Sequence, residues 1–161
     1  MHPPFRIEEA RDAEALAAAR LLFEEYQRDL GISLDFQGFA EELATLPGAY
    51  AAPRGALLIA CSDTELAGCV AMRPSSAGGA ELKRLYVRTP WRGSGLGKAL
   101  VEAVVERARA GGYLTLRLDT LATMAPAMRL YERMGFAETG PYHEATRPGM
   151  RFFAKDLRVS R

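Results

Sequence analysis

The spacing of apolar residues divides the chain into seven predicted strands and four predicted helices. Short runs rich in β-branched and aromatic residues indicate strands, and apolar residues three and four positions apart indicate helices. The strands are predicted over PFRIEEA, GALLIACS, LAGCVAMRP, AELKRLYVR, YLTLRLDTL, FAETG and GMRFFAKDL. The helices are predicted from Asp12 to about Asp29, over FQGFAEELATL, from Gly95 to Ala110 and from Thr123 to Met134. The second, third and fourth strands follow one another directly, which predicts an antiparallel meander.

The ends of three helices carry their own signals. Asp12 fits an N-cap for the first helix, and Thr123 fits one for the fourth, where Pro126 is tolerated in the first turn. Gly111 and Gly112 predict the end of the third helix. The resulting order is β-α-α-β-β-β-α-β-α-β-β, without a linker or an internal repeat. A chain of 161 residues with this order predicts a single domain, residues 1–161.

Charge is distributed unevenly along the chain, although the net charge is only +1. Residues 1–50 hold ten carboxylates against four arginines, whereas residues 80–115 hold seven basic residues against three glutamates. An anionic ligand would be attracted to the second segment. This segment is short and offers no patch of interleaved basic and aromatic residues, so we expect no nucleic-acid partner.

Neither a membrane segment nor a disulfide is expected. No stretch approaches the ~20 apolar residues of a membrane helix, and residues 1–12 lack an apolar signal-peptide core, so we expect a cytoplasmic protein. Cys61 and Cys69 flank a predicted turn at 62–65, whose register sets Cys61 opposite Leu66 and Cys69 opposite Leu58. The thiols are therefore expected to be free, and two cysteines without a nearby histidine predict no metal site.

The stretch TPWRGSGLGKALVEAVVERA, residues 89–108, places three glycines at the start of the third helix. Glycines let backbone N–H groups approach a ligand closely, and the free N–H groups of a helix N-terminus attract anions. A ligand that carries phosphate is therefore predicted. The dinucleotide motif G-x-G-x-x-G fails because Lys98 occupies the third glycine position, and the P-loop motif G-x-x-x-x-G-K-[ST] fails on spacing.

The remaining interpretation of RGSGLG, residues 92–97, is an R-x-x-G-x-G loop between a strand and an amphipathic helix. This loop resembles motif A of the GNAT superfamily of N-acetyltransferases. The later segment APAMRLYERMGF is similar to the A-x-x-L-Y-x-x-x-G-F segment of the same family, and the matching residues span roughly Glu81 to Phe136. One position departs from the pattern, because many members have asparagine where this chain has Met124. One polar contact to the pantetheine side is therefore missing.

The resemblance implies a fold of the α/β class (α+β type), with a mixed, largely antiparallel central sheet flanked by helices. It also implies that acetyl-CoA is the co-substrate and that the glycine loop holds its pyrophosphate. The open end of the fourth strand would pair with the pantetheine arm, and an N–H at or beside Val87 would polarise the thioester carbonyl. The cofactor-binding residues implied in this way are Leu85, Tyr86, Val87, Arg92, Gly93, Ser94, Gly95, Leu96, Gly97 and Lys98.

The resemblance implies one catalytic residue, Tyr131, which would protonate the departing coenzyme A thiolate. A core position is the alternative, because Tyr131 shares a helix face with Ala127 and Met134. The base that deprotonates the amine is not assigned, and three residues are candidates: Glu81, Asp119 and His143. Strand alternation predicts that Glu81 shares a face with Lys83, Leu85 and Val87.

The expected activity is direct transfer of an acetyl group from acetyl-CoA to a primary amine, of a small molecule or a protein, in a ternary complex. No covalent relay is expected, since neither cysteine has a histidine partner. A non-catalytic CoA-binding sensor or structural module is the main alternative, transfer to an alcohol or of a larger acyl group is another, and a homodimer is left open. The acidic excess within residues 12–50 predicts a positively charged acceptor. The candidate docking carboxylates are Glu24, Glu25, Asp29 and Asp35.

Overall fold

The computed structural model describes residues 4–144 and 146–158. The strands are β1 (Arg6–Glu9), β2 (Ala56–Cys61), β3 (Leu66–Pro74), β4 (Ala80–Val87), β5 (Thr115–Leu121), β6 (Ala137–Thr139) and β7 (Met150–Asp156). The helices are α1 (Ala13–Leu30), α2 (Phe39–Thr45), α3 (Leu96–Ala110) and α4 (Ala125–Arg133). Short 3-10 turns lie at Asp35–Gln37, Gly48–Tyr50 and Thr89–Trp91. The order of these elements and the sheet that they form confirm the predicted fold class.

The seven strands form one sheet in the order β1-β2-β3-β4-β5-β7-β6. All neighbouring strands are antiparallel except β4 and β5, which are parallel. The β4–β5 pairing is restricted to Ala80 with Leu116 and Glu81 with Arg117. The two strands then diverge, so the rest of β4 has an open edge on its β5 side.

Each face of the sheet is covered by helices. On one face, α3 buries Leu100 and Val104 in a core that also contains Tyr131 of α4. On the other face, Phe23 of α1 and Phe39 of α2 lie in a second core. The burial of both faces explains the continuous apolar runs in β2 and β3, since neither side of these strands faces solvent.

The helix ends agree with the sequence at Asp12 before α1 and at Gly111 after α3, and they differ at the starts of α2 and α4. The Asp12 side chain accepts a hydrogen bond from Ala15 N (2.8 Å) at the start of α1, as predicted. The second helix is shorter than predicted, because Gly38 in a left-handed conformation separates the 3-10 turn from α2. The prediction that Thr123 caps the fourth helix was wrong. Met124 is the N-cap of α4 and forms no side-chain capping bond.

The two cysteines are free, and Cys61 lies opposite Leu66 as predicted. Cys69 lies opposite Ile59 rather than Leu58, because a register shift at Ala60 and Cys61 displaces the pairing by one residue. Among the residues described, none of the helices has both the length and the apolar character needed to cross a membrane.

A bulge in β4 overturns the predicted alternation along that strand. Arg84 has a φ of +62°, and the register with β3 changes between Cys69 and Ala71. One extra residue moves every later side chain to the opposite face. Leu85 and Val87 therefore pack in the core beneath α3, whereas Lys83 points toward α2 and bonds Gln37. The prediction that Glu81 and Lys83 share a face with Leu85 and Val87 was wrong.

Candidate active site

A cavity of about 430 Å³ lies where β4 separates from β5. Its walls come from the end of α1, the end of β4, the glycine loop, the β5–α4 connection and the start of α4. Of the predicted cofactor-binding residues, this cavity is lined by Leu85, Tyr86, Val87, Arg92, Gly93 and Gly97. Its wall is mostly apolar apart from the loop, which suits a ligand with a charged end and a long uncharged arm.

The glycine loop offers backbone N–H groups that have no acceptor. The N–H groups of Gly93, Gly95, Gly97 and Lys98 make no hydrogen bond with the residues that the structure describes. Gly93 and Gly95 have φ values of +81° and +89°, which side chains disfavour. The loop therefore directs several unpaired donors to one end of α3, an arrangement that favours an anion.

The other loop residues shape it rather than line the cavity. The Ser94 hydroxyl donates to the Trp91 carbonyl and accepts from Leu96 N, so it ties the loop to the start of α3. Leu96 is fully buried and anchors that helix in the core. We therefore expect Ser94 and Leu96 to act by holding the loop in shape.

The two basic residues of the loop differ in their surroundings. The Arg92 guanidinium donates through Nε to the Val87 carbonyl (2.8 Å) and through Nη2 to Asp29 Oδ2 (2.8 Å). Lys98 is exposed and has no hydrogen bond or ion pair within the described part of the chain. Arg92 thus has protein partners that an anionic ligand would have to displace, whereas the Lys98 ammonium is available.

The open end of β4 directs polar backbone groups into the same cavity. Arg88 N donates to the carbonyl of Ala67 in β3 (2.8 Å). Because successive residues of a strand point their polar groups in opposite directions, those of Val87 face the open side. The side chains of Leu85 and Val87 pack in the core, while Tyr86 lies on the other face and donates to Glu25 Oε1 (3.1 Å).

Tyr131 is placed in the core beside this cavity. Its side chain is 5% exposed and contacts the rings of Phe136 and Phe153. Its hydroxyl makes no hydrogen bond within the residues described. Burial raises the pKa of Tyr131, and the proximity of Tyr26 and Asp119 raises it further. The phenol therefore keeps its proton at neutral pH, and its hydrogen-bonding capacity is unused.

A cluster of buried polar groups lies on the α2 face of the sheet, before the bulge. It brings together all three candidate bases: single ligand atoms of Glu81, Asp119 and His143 lie within 4.8 Å of one another. His143 Nε2 is 2.8 Å from Asp119 Oδ2, and Tyr142 donates to Glu81 Oε2 (2.6 Å). We call this group, with Arg73 and Lys83, the polar cluster. Its members come from β3, β4, β5 and the β6–β7 connection.

Cations neutralise the two carboxylates of the polar cluster. Lys83 Nζ is 3.5 Å from Asp119 Oδ2 and 3.8 Å from Glu81 Oε2, and Arg73 Nε donates to Glu81 Oε1 (3.1 Å). Burial opposes ionisation of Asp119, but Lys83 and His143 hold its pKa below the ordinary value. Burial lowers the pKa of the Lys83 ammonium, although both carboxylates oppose this effect. Lys83 thus supplies a positive charge to both carboxylates of the polar cluster.

The polar cluster borders a second cavity of about 390 Å³, lined in part by Arg73, Glu81, Lys83 and His143. A narrow cavity of about 20 Å³ lies between the diverging strands and includes Asp119. The narrow cavity shares Tyr26 and Leu30 with the first cavity. It shares Phe36 and Gln37 with the second. Three cavities that share wall residues therefore lie side by side at the opening between β4 and β5, and we call this row of cavities the groove.

Several opposite charges of the two segments are paired with each other within the molecule. The acidic N-terminal segment and the basic segment 80–115 are joined by four ion pairs: Glu9–Arg107, Glu25–Arg88, Asp29–Arg92 and Glu42–Arg84. Two of the four predicted docking carboxylates, Glu25 and Asp29, are therefore already paired with arginines. These ion pairs therefore reduce the support that the charge distribution gives to a positively charged acceptor, and they leave Glu24 and Asp35 as the candidate docking carboxylates without an ion pair among the described residues.

Comparison with known proteins places the chain among acetyltransferases. Residues 17–136 match the Acetyltransferase (GNAT) family. The chain is 38% identical over 140 residues to an uncharacterized N-acetyltransferase of Schizosaccharomyces pombe, covering 86% of each. It is 33% identical over 135 residues to an IAA acetyltransferase of Azospirillum brasilense, covering 83% of this chain and 86% of that one. A GNAT-family acetyltransferase from Staphylococcus aureus has the same fold, with a TM-score of 0.79 at 18% identity over 96% of this chain and 99% of that one.

Proposed function

The chain is an acyltransferase that belongs to the acetyltransferase (GNAT) family, whose members use acetyl-CoA as co-substrate. We propose that it transfers the acetyl group directly to a primary amine while both substrates are bound. The observation that carries this proposal is the groove through the opening between β4 and β5. One end of this row is a cavity with unpaired N–H donors and the other end is a cavity bordered by buried proton-transfer groups, so two substrates that bind from opposite sides would approach each other at the opening.

The cofactor side of the groove suits acetyl-CoA in its donor groups and shape. The unpaired N–H groups from Gly93 to Lys98 bind the pyrophosphate, and the Lys98 ammonium adds charge. The open edge at Leu85 and Val87 pairs with the amides of the pantetheine arm. When bound, acetyl-CoA supplies an acetyl group activated as a thioester. The Val87 N–H, or one beside it, polarises the carbonyl of that thioester.

Tyr131 is the proposed donor to the departing thiolate. Its unpaired hydroxyl lies in a buried position beside the groove, and its raised pKa keeps the proton on the phenol, where it can be donated in a hydrogen bond. A thiolate, whose conjugate acid has a pKa of about 8.5 in water, is a weaker base than the Tyr131 phenolate, so it accepts a hydrogen bond from the phenol while the proton stays on the tyrosine oxygen. The hydroxyl can therefore stabilise the thiolate as it forms.

The Asp119–His143 pair is the proposed proton acceptor for the amine. Glu81 is disfavoured because both of its oxygens already accept hydrogen bonds, from Arg73 and Tyr142. Asp119 borders the narrow part of the groove, and its Oδ1 makes no hydrogen bond in the described structure. The acceptor ammonium binds this oxygen and gives one proton to the pair, which leaves the nitrogen lone pair free to attack. A non-catalytic CoA sensor would have no use for such a pair.

Four measurements test this proposal. Calorimetry with acetyl-CoA should show binding, and release of free thiol in the presence of a panel of amines should show transfer. Intact-protein mass spectrometry during turnover should show no acetylated enzyme, because transfer is direct. His143→Gln should lower kcat for acetyl transfer and leave acetyl-CoA affinity unchanged, because it removes half of the proposed proton acceptor. An acetyl-enzyme that forms and decays at the turnover rate would contradict direct transfer.

A further inference from the structure

The second cavity contains a cationic group whose hydrogen-bonding capacity is only partly used. Arg73 lies in β3 with 35% of its side chain exposed and lines this cavity. Its Nε donates to Glu81, while Nη1 and Nη2 make no hydrogen bond with residues 4–144 or 146–158. A guanidinium with two free, coplanar nitrogens matches a carboxylate in both charge and geometry.

The charge balance of the polar cluster favours the same kind of ligand. Arg73 and Lys83 carry two positive charges, and Glu81 and Asp119 carry two negative charges. An acceptor with only an ammonium group would add an uncompensated positive charge close to Lys83, whose side chain is only 4% exposed. An acceptor that also carries a carboxylate adds no net charge. The cavity is therefore suited to a zwitterion.

The positions of the two binding groups agree with a short zwitterion. Glu81 contacts Arg73 directly, and its carboxylate lies within 4.8 Å of the ligand atoms of Asp119 and His143. One carboxyl group thus separates the free edge of Arg73 from the proposed ammonium site. An α-amino acid carries its amine and carboxylate on one carbon, and it is therefore the most compact zwitterion for two binding groups arranged in this way.

We propose that the acetyl acceptor is a free α-amino acid, with its carboxylate on Nη1 and Nη2 of Arg73 and its amino group at Asp119. This inference rests on the proposed function and names the acceptor class for that activity. It replaces the cationic acceptor expected from the acidic N-terminal segment.

Matched acceptors test the proposal without any mutation. The panel is the twenty proteinogenic amino acids, together with the carboxamides and decarboxylated amines of leucine, phenylalanine and lysine, each assayed with acetyl-CoA by thiol release. At least one amino acid should be acetylated with a kcat/KM at least tenfold above those of its own carboxamide and amine. If the acetylated amino acid lies outside these three, its own carboxamide and amine are added.

Variants of Arg73 test its role separately. Arg73→Gln should raise the KM for the amino acid at least tenfold and leave that for the decarboxylated amine unchanged. Arg73→Lys keeps a charge beside Glu81 but loses the paired nitrogens, so it should show the same KM effect if Arg73→Gln fails to fold. Arg151→Gln is the matched control, since Arg151 also pairs with a glutamate of the neighbouring strand, Glu138, but at an exposed site.

The outcomes separate this inference from the proposed function. Acetyl-CoA binding with no amino acid acetylated, or a preference for the amine or carboxamide, would overturn the amino-acid acceptor and leave acetyl transfer standing. Selectivity for amino acids that survives in both Arg73 variants would overturn the carboxylate site. Failure to bind acetyl-CoA would instead overturn the proposed function.

Discussion

The two parts of β4 on either side of the Arg84 bulge make contacts in different ways. After the bulge, the strand and the adjoining loop present backbone groups, and the loop has four N–H groups without an acceptor. Before the bulge, the strand presents the buried charged side chains of Glu81 and Lys83, which are held by groups from other strands. Backbone sites need particular glycines in sequence order, whereas side-chain sites need only that distant segments meet.

The bulge itself creates this division. Without the extra residue, Glu81 and Leu85 would lie on the same face, and one strand could not serve both cavities with different chemistry. With it, charged residues face α2 and apolar residues face α3. The opening between β4 and β5 then lets the two sides meet. The predictions below test whether the two parts act as separately as this arrangement implies.

The largest effect is expected at Tyr131, which lies on the cofactor side. Tyr131→Phe keeps the ring contacts with Phe136 and Phe153 and removes only the unpaired hydroxyl. We expect kcat to fall roughly 10²–10⁴-fold, because the thiolate loses its donor. Acetyl-CoA affinity and thermal stability should change little. Single-turnover thiol release measures this, with Tyr113→Phe as the control because its hydroxyl bonds the Arg54 carbonyl instead. Unchanged turnover would make Tyr131 a core residue only.

The next effect concerns the stability of the bulge. The Arg84 guanidinium makes two hydrogen bonds to Glu42, at 2.8 and 2.7 Å, and both side chains are nearly buried. Arg84→Met should lower the free energy of unfolding by about 3–5 kcal/mol, since it leaves a buried carboxylate without its partner. Urea denaturation measures the loss.

Two further variants separate charge from packing at this position. Adding Glu42→Leu to Arg84→Met should recover most of the stability, because the unpaired carboxylate is gone. Arg151→Met breaks an ion pair at an exposed site and should have little effect. If the double variant were no more stable than Arg84→Met, the guanidinium would matter for packing rather than for charge.

The sequence predicted the cofactor side better than the polar cluster for reasons visible in single residues. Gly93 and Gly95 adopt positive φ, which favours glycine, so the loop can be recognised from the glycines in the sequence. The open edge at Val87 follows from the resemblance. Glu81, Asp119 and His143 were each predicted as candidate bases. Asp119 follows Glu81 by 38 positions and His143 follows Asp119 by 24, and nothing in the sequence indicates that the three side chains meet. The left-handed conformation of Arg84 has no sequence signal either, because most left-handed residues are glycine, so the strand faces were predicted wrongly.

A smaller effect is expected at Lys98, which tests the charge of the cofactor side. Gly93 and Gly95 are poor positions for substitution, since any side chain there would strain the backbone. Lys98→Ala changes only an exposed, unpartnered ammonium and should weaken acetyl-CoA binding roughly twofold to fivefold at low salt. The difference should shrink as salt is added. Calorimetry at two salt concentrations checks this. Arg11→Ala is the control, because Arg11 is an exposed arginine near β1. Equal affinities at low salt would show that the backbone alone binds the phosphates.

The smallest effect concerns the ion pairs that join the acidic and basic segments. Glu25 accepts two hydrogen bonds from Arg88, at 2.9 and 2.6 Å, and one from Tyr86. The hydrogen bond from Arg88 holds the pKa of Glu25 below its ordinary value, against the effect of burial. A carboxyl whose pKa is lowered on folding stabilises the native state above its unfolded pKa, about 4.3, and loses that contribution as the pH falls.

Glu25→Gln should therefore lower the free energy of unfolding by about 1 kcal/mol at pH 7, a modest value because solvent partly screens the pair. The difference from the unmodified protein should shrink as the pH falls below about 4.3. Glu24→Gln is the matched control, because Glu24 is exposed on the same helix and has no partner among the described residues. Urea denaturation of the three proteins at pH 7 and pH 4 measures both effects. If Glu24→Gln and Glu25→Gln had the same effect at pH 7, the acidic segment would act through its overall charge.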